Sequence, residues 1–201
     1  VENYIAPKHG KSLIEKIWQI HNAINEQRKL KISYHRIGYD GLIETKAKER
    51  VVFPQAVLFN EYYFYLCADI EGKEYDYPTI FRMDRIESYQ FLKEHFRINY
   101  AQRFKEGEFR KITQFMYTGE LKVIKFKYFG RSLEAVLDRL PTAEVVEPLE
   151  GGFMIRARVF GQGIMMWLLS QGDDVEVIEP ISMRNIMKEK IDGMQKRYNK
   201  E

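Results

Sequence analysis

Two arginines three residues apart, Arg82 and Arg85, bracket an aspartate in the run Phe81-Arg82-Met83-Asp84-Arg85-Ile86. Guanidinium groups present fork-shaped donors that match phosphate oxygens, often in a bidentate way. A third arginine, Arg50, opens the run Arg50-Val51-Val52-Phe53-Pro54. Tyr34 and Tyr65 add phenols that can stack on a base or donate a hydrogen bond, and His35 adds a pH-sensitive donor. Tyr34, His35, Arg50, Tyr65, Arg82 and Arg85 are therefore the candidate ligand-binding residues, suited to a phosphate-bearing guest. An ideal strand sends residues three apart to opposite faces, so Arg82 and Arg85 share a pocket only if the strand bends or ends at Asp84. In the competing reading Asp84 pairs with Arg85 or Arg50 as a brace, and the tyrosines fill core.

Other chemistry is sparse. His9, His21, His35 and His95 are scattered, with no i,i+4 pair and no metal spacing with Cys67. No nucleophile elbow, P-loop or dinucleotide fingerprint occurs. Gly161-Gln162-Gly163 follows an apolar run and opens a helical one; a tight strand-to-helix turn explains it better than a phosphate cradle. The expectation is a protein without enzymatic activity, metal or cofactor. Lys125-Phe126-Lys127-Tyr128-Phe129 alternates basic and aromatic residues, which keeps RNA binding open as an alternative. A module that only holds a protein partner is the other.

These residues sit on elements of two kinds. Leu13, Ile14, Ile17, Ile20 and Ile24 recur at helical spacing behind a Ser12-to-Glu15 capping box, predicting a helix over 12–27 that ends at Arg28-Lys29. Short β-branched and aromatic runs follow at 30–38, 42–53, 62–70, 79–83 and 88–92, with Asp40-Gly41 as a hairpin turn and Pro54 at a strand end or bulge. They suggest a small curled sheet or SH3-like barrel. Lys93–Met116 reads as a connection, with Glu106-Gly107 its most flexible point. From Glu120 onward the order is strand, helix, strand, strand, helix, strand and a last helix whose stripe is Ile186, Met187, Ile191 and Met194, the ferredoxin-like arrangement. The expected class is α+β, divided into a connector helix (1–29), a barrel (30–105), a linker (106–118) and a C-terminal domain (119–201).

The chain's 201 residues, 45% hydrophobic and 30% charged with a net charge of +3, are enough for two small cores. No apolar run approaches bilayer length, so no membrane association is expected. The lone Cys67 reads as a small buried hydrophobe in a reducing, cytoplasmic setting. Between Arg28 and Arg50 seven Lys/Arg face three Asp/Glu, which suits either an anion site or a protected edge strand. Starting at Val1 with no signal-peptide pattern, the sequence reads as a fragment.

The ordered series Leu30-Lys31-Ile32-Ser33-Tyr34, Arg50-Val51-Val52-Phe53-Pro54, Phe64-Tyr65-Leu66-Cys67-Ala68 and Phe81-Arg82-Met83-Asp84-Arg85-Ile86 resembles the WYL domain. Phe64 replaces its tryptophan, Met83 a leucine, and Thr79 stands where many members carry another arginine. Phe160-Gly161, Trp167-Leu168-Leu169, Gly172, Val175-Glu176-Val177 and Glu179-Pro180 are similar to that family's C-terminal extension. The resemblance covers roughly Leu30–Tyr198. It implies an Sm-like (SH3-type) barrel followed by a ferredoxin-like extension, in a dimeric bacterial transcriptional regulator. Operator DNA would be read by an upstream helix-turn-helix domain that this chain lacks. It further implies that the barrel binds a negatively charged ligand, a nucleotide or single-stranded nucleic acid, and that the first helix is the connector to the DNA reader.

Overall fold

The computed structural model describes residues 12–35, 46–75, 77–98 and 104–199, and shows an α+β protein. The chain divides into two compact units, Val1–Lys105 and Glu106–Glu201.

The first unit opens with α1 (Ile14–Asn25), which buries Ile20 and Ala23. The expected capping box does not form. The helix starts later, from Leu13, with no side-chain cap, and Glu15 lies in the first turn, accepting a hydrogen bond from Gln19 one turn on. Ile14 and Trp18, expected on or beside the buried stripe, are exposed. Arg28 and Lys29 do not complement the helix terminus either, because Gln27 turns left-handed (φ 51°) and Arg28 begins β1 (Arg28–Tyr34). Lys29 instead pairs with Glu71 at 2.6 Å.

Strands β2 (Lys48–Asn60), β3 (Tyr63–Ile70), β4 (Thr79–Arg82) and β5 (Ile86–His95) complete an antiparallel sheet of order β4-β3-β2-β1-β5. The register of β2 against β3 shifts between Pro54 and Ala56, the bulge that proline invites where it cannot donate to the ladder. Between β4 and β5 lies a single 3-10 turn, Met83–Arg85. Alternate residues Leu30 and Ile32, with Val52, Leu66, Ala68, Phe81, Met83 and Ile86, form one core with Ile20 and Ala23 of α1. Cys67 is fully buried. The expected hairpin turn at 39–41 lies outside the described residues.

The described parts of the segment read as a connection are largely structured. β5 runs on to His95, and 106–112, placed in the linker, is α2 (Glu106–Ile112). Phe109 and Ile112, three apart, bury one face of it; the Phe109 and Phe160 rings lie 6.0 Å apart. Glu106 and Glu108 in its first turn and Arg110 and Lys111 in its last suit the helix dipole. Polar residues on the outer face masked this short apolar stripe.

The second unit continues with β6 (Leu121–Tyr128), α3 (Leu133–Arg139), β7 (Glu144–Leu149), β8 (Gly152–Phe160), α4 (Gly161–Ser170), β9 (Val175–Glu179) and α5 (Ile181–Tyr198). The sheet is antiparallel, of order β7-β8-β6-β9. Its core face carries Ile124, Phe126, Ile155, Ala157 and Val177, covered by Ile164 and Trp167 of α4 and by Met183 and Met187 of α5. Ile186, Ile191 and Met194, expected in the buried stripe of α5, are exposed; the stripe that packs is Met183 and Met187, four apart. β7 is an edge strand, exposed along nearly its whole length. Among the described residues no helix is long and apolar enough to cross a membrane.

Candidate functional site

The candidate site grows from the β3–β4 pair. Tyr65 lies directly across from Arg82 in the ladder, and Tyr63, two residues earlier, shares its face by the period-2 rule. The Arg82 guanidinium lies 3.5 Å from the centre of the Tyr63 ring, a cation–π contact that fixes the long side chain. Its nitrogens also grip Asp84: Nε donates to Oδ1 at 3.0 Å and an η-nitrogen to Oδ2 at 2.8 Å. The Asp84 side chain is only 8% exposed and that of Arg82 22%. Burial alone would lower the guanidinium's pKa, but the bonded Asp84 carboxylate holds it above its ordinary value. Asp84 is thus half of a clamp whose partner is Arg82, where the bracing alternative had Arg85 or Arg50.

Strand β4 ends at Arg82, and the backbone then coils into the 3-10 turn Met83–Arg85. Arg82, just before the turn, is extended (φ −66°, ψ 126°), and Arg85 is the last residue of the turn. The Tyr65 phenol registers both. Burial pushes its pKa up, Arg82 pulls it down, Glu61 raises it, Arg85 lowers it and Asp84 raises it, leaving it above its ordinary value. At neutral pH Tyr65 is therefore a hydrogen-bond donor beside two cations.

The other candidates have different surroundings. Tyr34 packs edge-on against Phe81, at 5.1 Å and 79°, and its hydroxyl accepts the Arg82 backbone N–H at 3.3 Å. His35 donates its backbone N–H to the Arg85 carbonyl at 3.1 Å, and its Nε2 lies 3.1 Å from a Glu87 oxygen. The two residues thus bond to the backbone at the two ends of the turn. Arg50 is on β2 across from Ile32 and makes no side-chain ion pair among the described residues. Tyr63 was missed by sequence reasoning, although its spacing of two from Tyr65 was a usable signal.

Elsewhere the chemistry is sparser. Among the described residues no group of histidine, cysteine, aspartate or glutamate side chains could hold a metal ion. Phe126 is 0% exposed and Tyr128 is buried, so neither ring of β6 presents a stacking face, whereas Phe129 just beyond the strand is exposed. A groove of about 450 Å³ in the second unit is lined by Met165, Met166, Leu169, Met183 and Ile186, with Lys122 and Lys190 among its polar lining residues. Gly161 and Gly163 are explained by packing: a Cβ on Gly163 would fall 2.4 Å from the Gln114 carbonyl oxygen, and one on Gly161 would meet the Lys122 stem at 3.2 Å.

Residues 15–91 match the WYL domain and residues 123–195 the WCX domain. The chain is a WYL-domain protein. Its WYL segment contains β3, β4 and the turn that carry the clamp, and its WCX segment contains the second sheet from β6 onward. Among solved structures, similarity extends to Proteasome accessory factor B/C (PafBC) of Arthrobacter aurescens, with 23% identity and a TM-score of 0.38 over 95% of this chain and 29% of that one. A CRISPR Cas-related protein matches with 16% identity and a TM-score of 0.56 over 92% of this chain and 51% of that one. The latter is a likeness of fold, and the WYL–WCX chain spans about half or less of either protein. No curated protein matches the sequence.

Proposed function

We propose that this chain is the ligand-sensing portion of a transcriptional regulator, and that its WYL domain binds a phosphate-bearing nucleotide or single-stranded nucleic acid. The observation that carries the reading is the Arg82 guanidinium, stacked on Tyr63 beside the Tyr65 phenol, with the charge of Arg85 acting on the same phenol. Guanidinium forks suit phosphate oxygens, and aromatic rings beside them suit a base. The sheet order β4-β3-β2-β1-β5 with its 3-10 turn supports an Sm-like, SH3-type barrel; the order β7-β8-β6-β9 supports a ferredoxin-like second domain. In this reading the protein is cytoplasmic, has no catalytic activity, and pairs as a homodimer. An upstream DNA-reading domain converts ligand occupancy into operator affinity, since a ligand shifts an equilibrium only through unequal affinity for its states.

The test is titration calorimetry with a 5′-phosphorylated oligothymidylate in one arm and ATP in the other, at fixed salt. Arg85→Ala is the cleaner variant because it leaves the Arg82–Asp84 clamp intact. Loss of one guanidinium–phosphate contact should weaken binding by roughly tenfold, with an unchanged unfolding transition. Equal affinities for the parent and Arg85→Ala in both arms would refute the site.

A further inference from the structure

We propose that Lys16 is the positioning residue that couples the arginine turn to helix α1, so that a change at the anion site is transmitted to the helix. This deepens the proposed function and rests on it for the identity of the ligand, though not for the coupling itself.

The Lys16 ammonium leaves the helix and donates to two backbone carbonyls, that of Met83 at 3.3 Å and that of Ile86 at 2.5 Å. Those carbonyls belong to the first residue of the 3-10 turn and to the residue just after it. The turn's side chains, meanwhile, include Asp84 of the clamp and Arg85, with Arg82 immediately before it. One five-residue stretch, Arg82–Ile86, therefore carries the proposed anion-binding arginines on its side chains and the helix anchor on its carbonyls. An ammonium has three donors and no preferred plane, so it can hold two carbonyls only while they stay convergent.

A second contact fixes the alignment. The Tyr89 hydroxyl of β5 donates to Gln19 Oε1 at 2.8 Å, one turn along α1 from the lysine, and the ammonium lies 6.0 Å from the Tyr89 ring centre. On the other side the Arg85 carbonyl is tied to the His35 N–H. A phosphate that draws Arg82 off Asp84, or moves Arg85, must turn the peptide groups at Met83 and Ile86 against these restraints. The compliant partner is Lys16, whose ammonium either follows the carbonyls and shifts α1 or loses one of its bonds. By linkage, whatever displaces α1 must alter anion affinity by the same factor.

Hydrogen–deuterium exchange of the α1 amides in the full chain tests this, with the 5′-phosphorylated oligothymidylate as probe. In the parent the oligonucleotide should change exchange across Ile17–Ala23 several-fold. Lys16→Met should bind the oligonucleotide but show no such change, and Lys16→Arg should restore it, because a guanidinium can again donate to both carbonyls. An undiminished response in Lys16→Met, or failure of Lys16→Arg to differ from Lys16→Met, would overturn the coupling. If the parent binds neither the oligonucleotide nor ATP, the anion reading fails by itself. The coupling is then decided without ligand by a double-mutant cycle: Asp84→Asn should alter α1 exchange, beyond the change shared by the strand amides, in the parent but not in the Lys16→Met background, and strictly additive effects would refute it.

Discussion

Replacing Asp84 by asparagine should move stability and ligand affinity in opposite directions. The carboxylate is nearly buried and takes two hydrogen bonds from one guanidinium, at 2.8 and 3.0 Å. Asparagine keeps one acceptor and loses the charge, and a hydrogen bond to a charged group contributes about 1.5–3 kcal/mol net. Asp84→Asn should therefore cost about 2 kcal/mol of folding stability, read from the midpoint of urea unfolding at constant slope. The same substitution removes a negative charge from the far edge of the guanidinium that would hold a phosphate. Across about 6 Å, with an effective dielectric constant of about 40, that repulsion is worth about 1.4 kcal/mol, so oligonucleotide binding should tighten by roughly tenfold. Calorimetry on the two proteins at one salt concentration measures it. Weaker binding by Asp84→Asn would refute the reasoning, since Asp84 would then be presenting Arg82 to the ligand and not competing for it.

Two further outcomes follow from the packing. A methyl group on Gly163 has nowhere to go but the Gln114 carbonyl, 2.4 Å away, so Gly163→Ala should lower the thermal midpoint; overpacking of this kind costs about 1–3 kcal/mol, more than the helix propensity gained, and an unchanged or higher midpoint would contradict the contact. Burial raises the Asp69 carboxyl above its ordinary value, with the Gln55 amide bond opposing. The destabilisation is absent below the unfolded pKa and complete above the folded one, so Asp69→Asn should be more stable than the parent near pH 7 and match it near pH 3; a constant gap across that range in a pH series of unfolding midpoints would contradict the assignment.

The strands and most helices were legible because they obey strict periods. Leu30 and Ile32, between Lys29, Lys31 and Ser33, alternate so cleanly with polar neighbours that only one face could be buried. Helix ends were less legible: Ser12 and Glu15 have the capping spacing, yet the apolar contacts of Ile20 and Ala23 set the register and left the pair unused. α2 escaped notice because only Phe109 and Ile112 mark its buried face, too few to establish a period. Arg82 and Arg85 could be singled out by type, but a strand period would separate them. The strand ends at Arg82, and a three-residue 3-10 turn with Met83 and Asp84 buried carries the chain to Arg85, a departure from that period. Lys16 had no signal at all, since a lysine on an amphipathic helix ordinarily faces water.

Glu144–Leu149 forms the outer rim of the second sheet, and both sides of it lie open to solvent. A rim of this kind is a growth front on which another copy's backbone could zip up, layer upon layer, into a fibre. Glu144 and Glu147 place charge along it, Pro148 removes a donor, and Val145 and Val146 between them are the adhesive part held in check. Exchanging those glutamates for valine would leave the buried core alone and still strip the rim of the charge that opposes such growth.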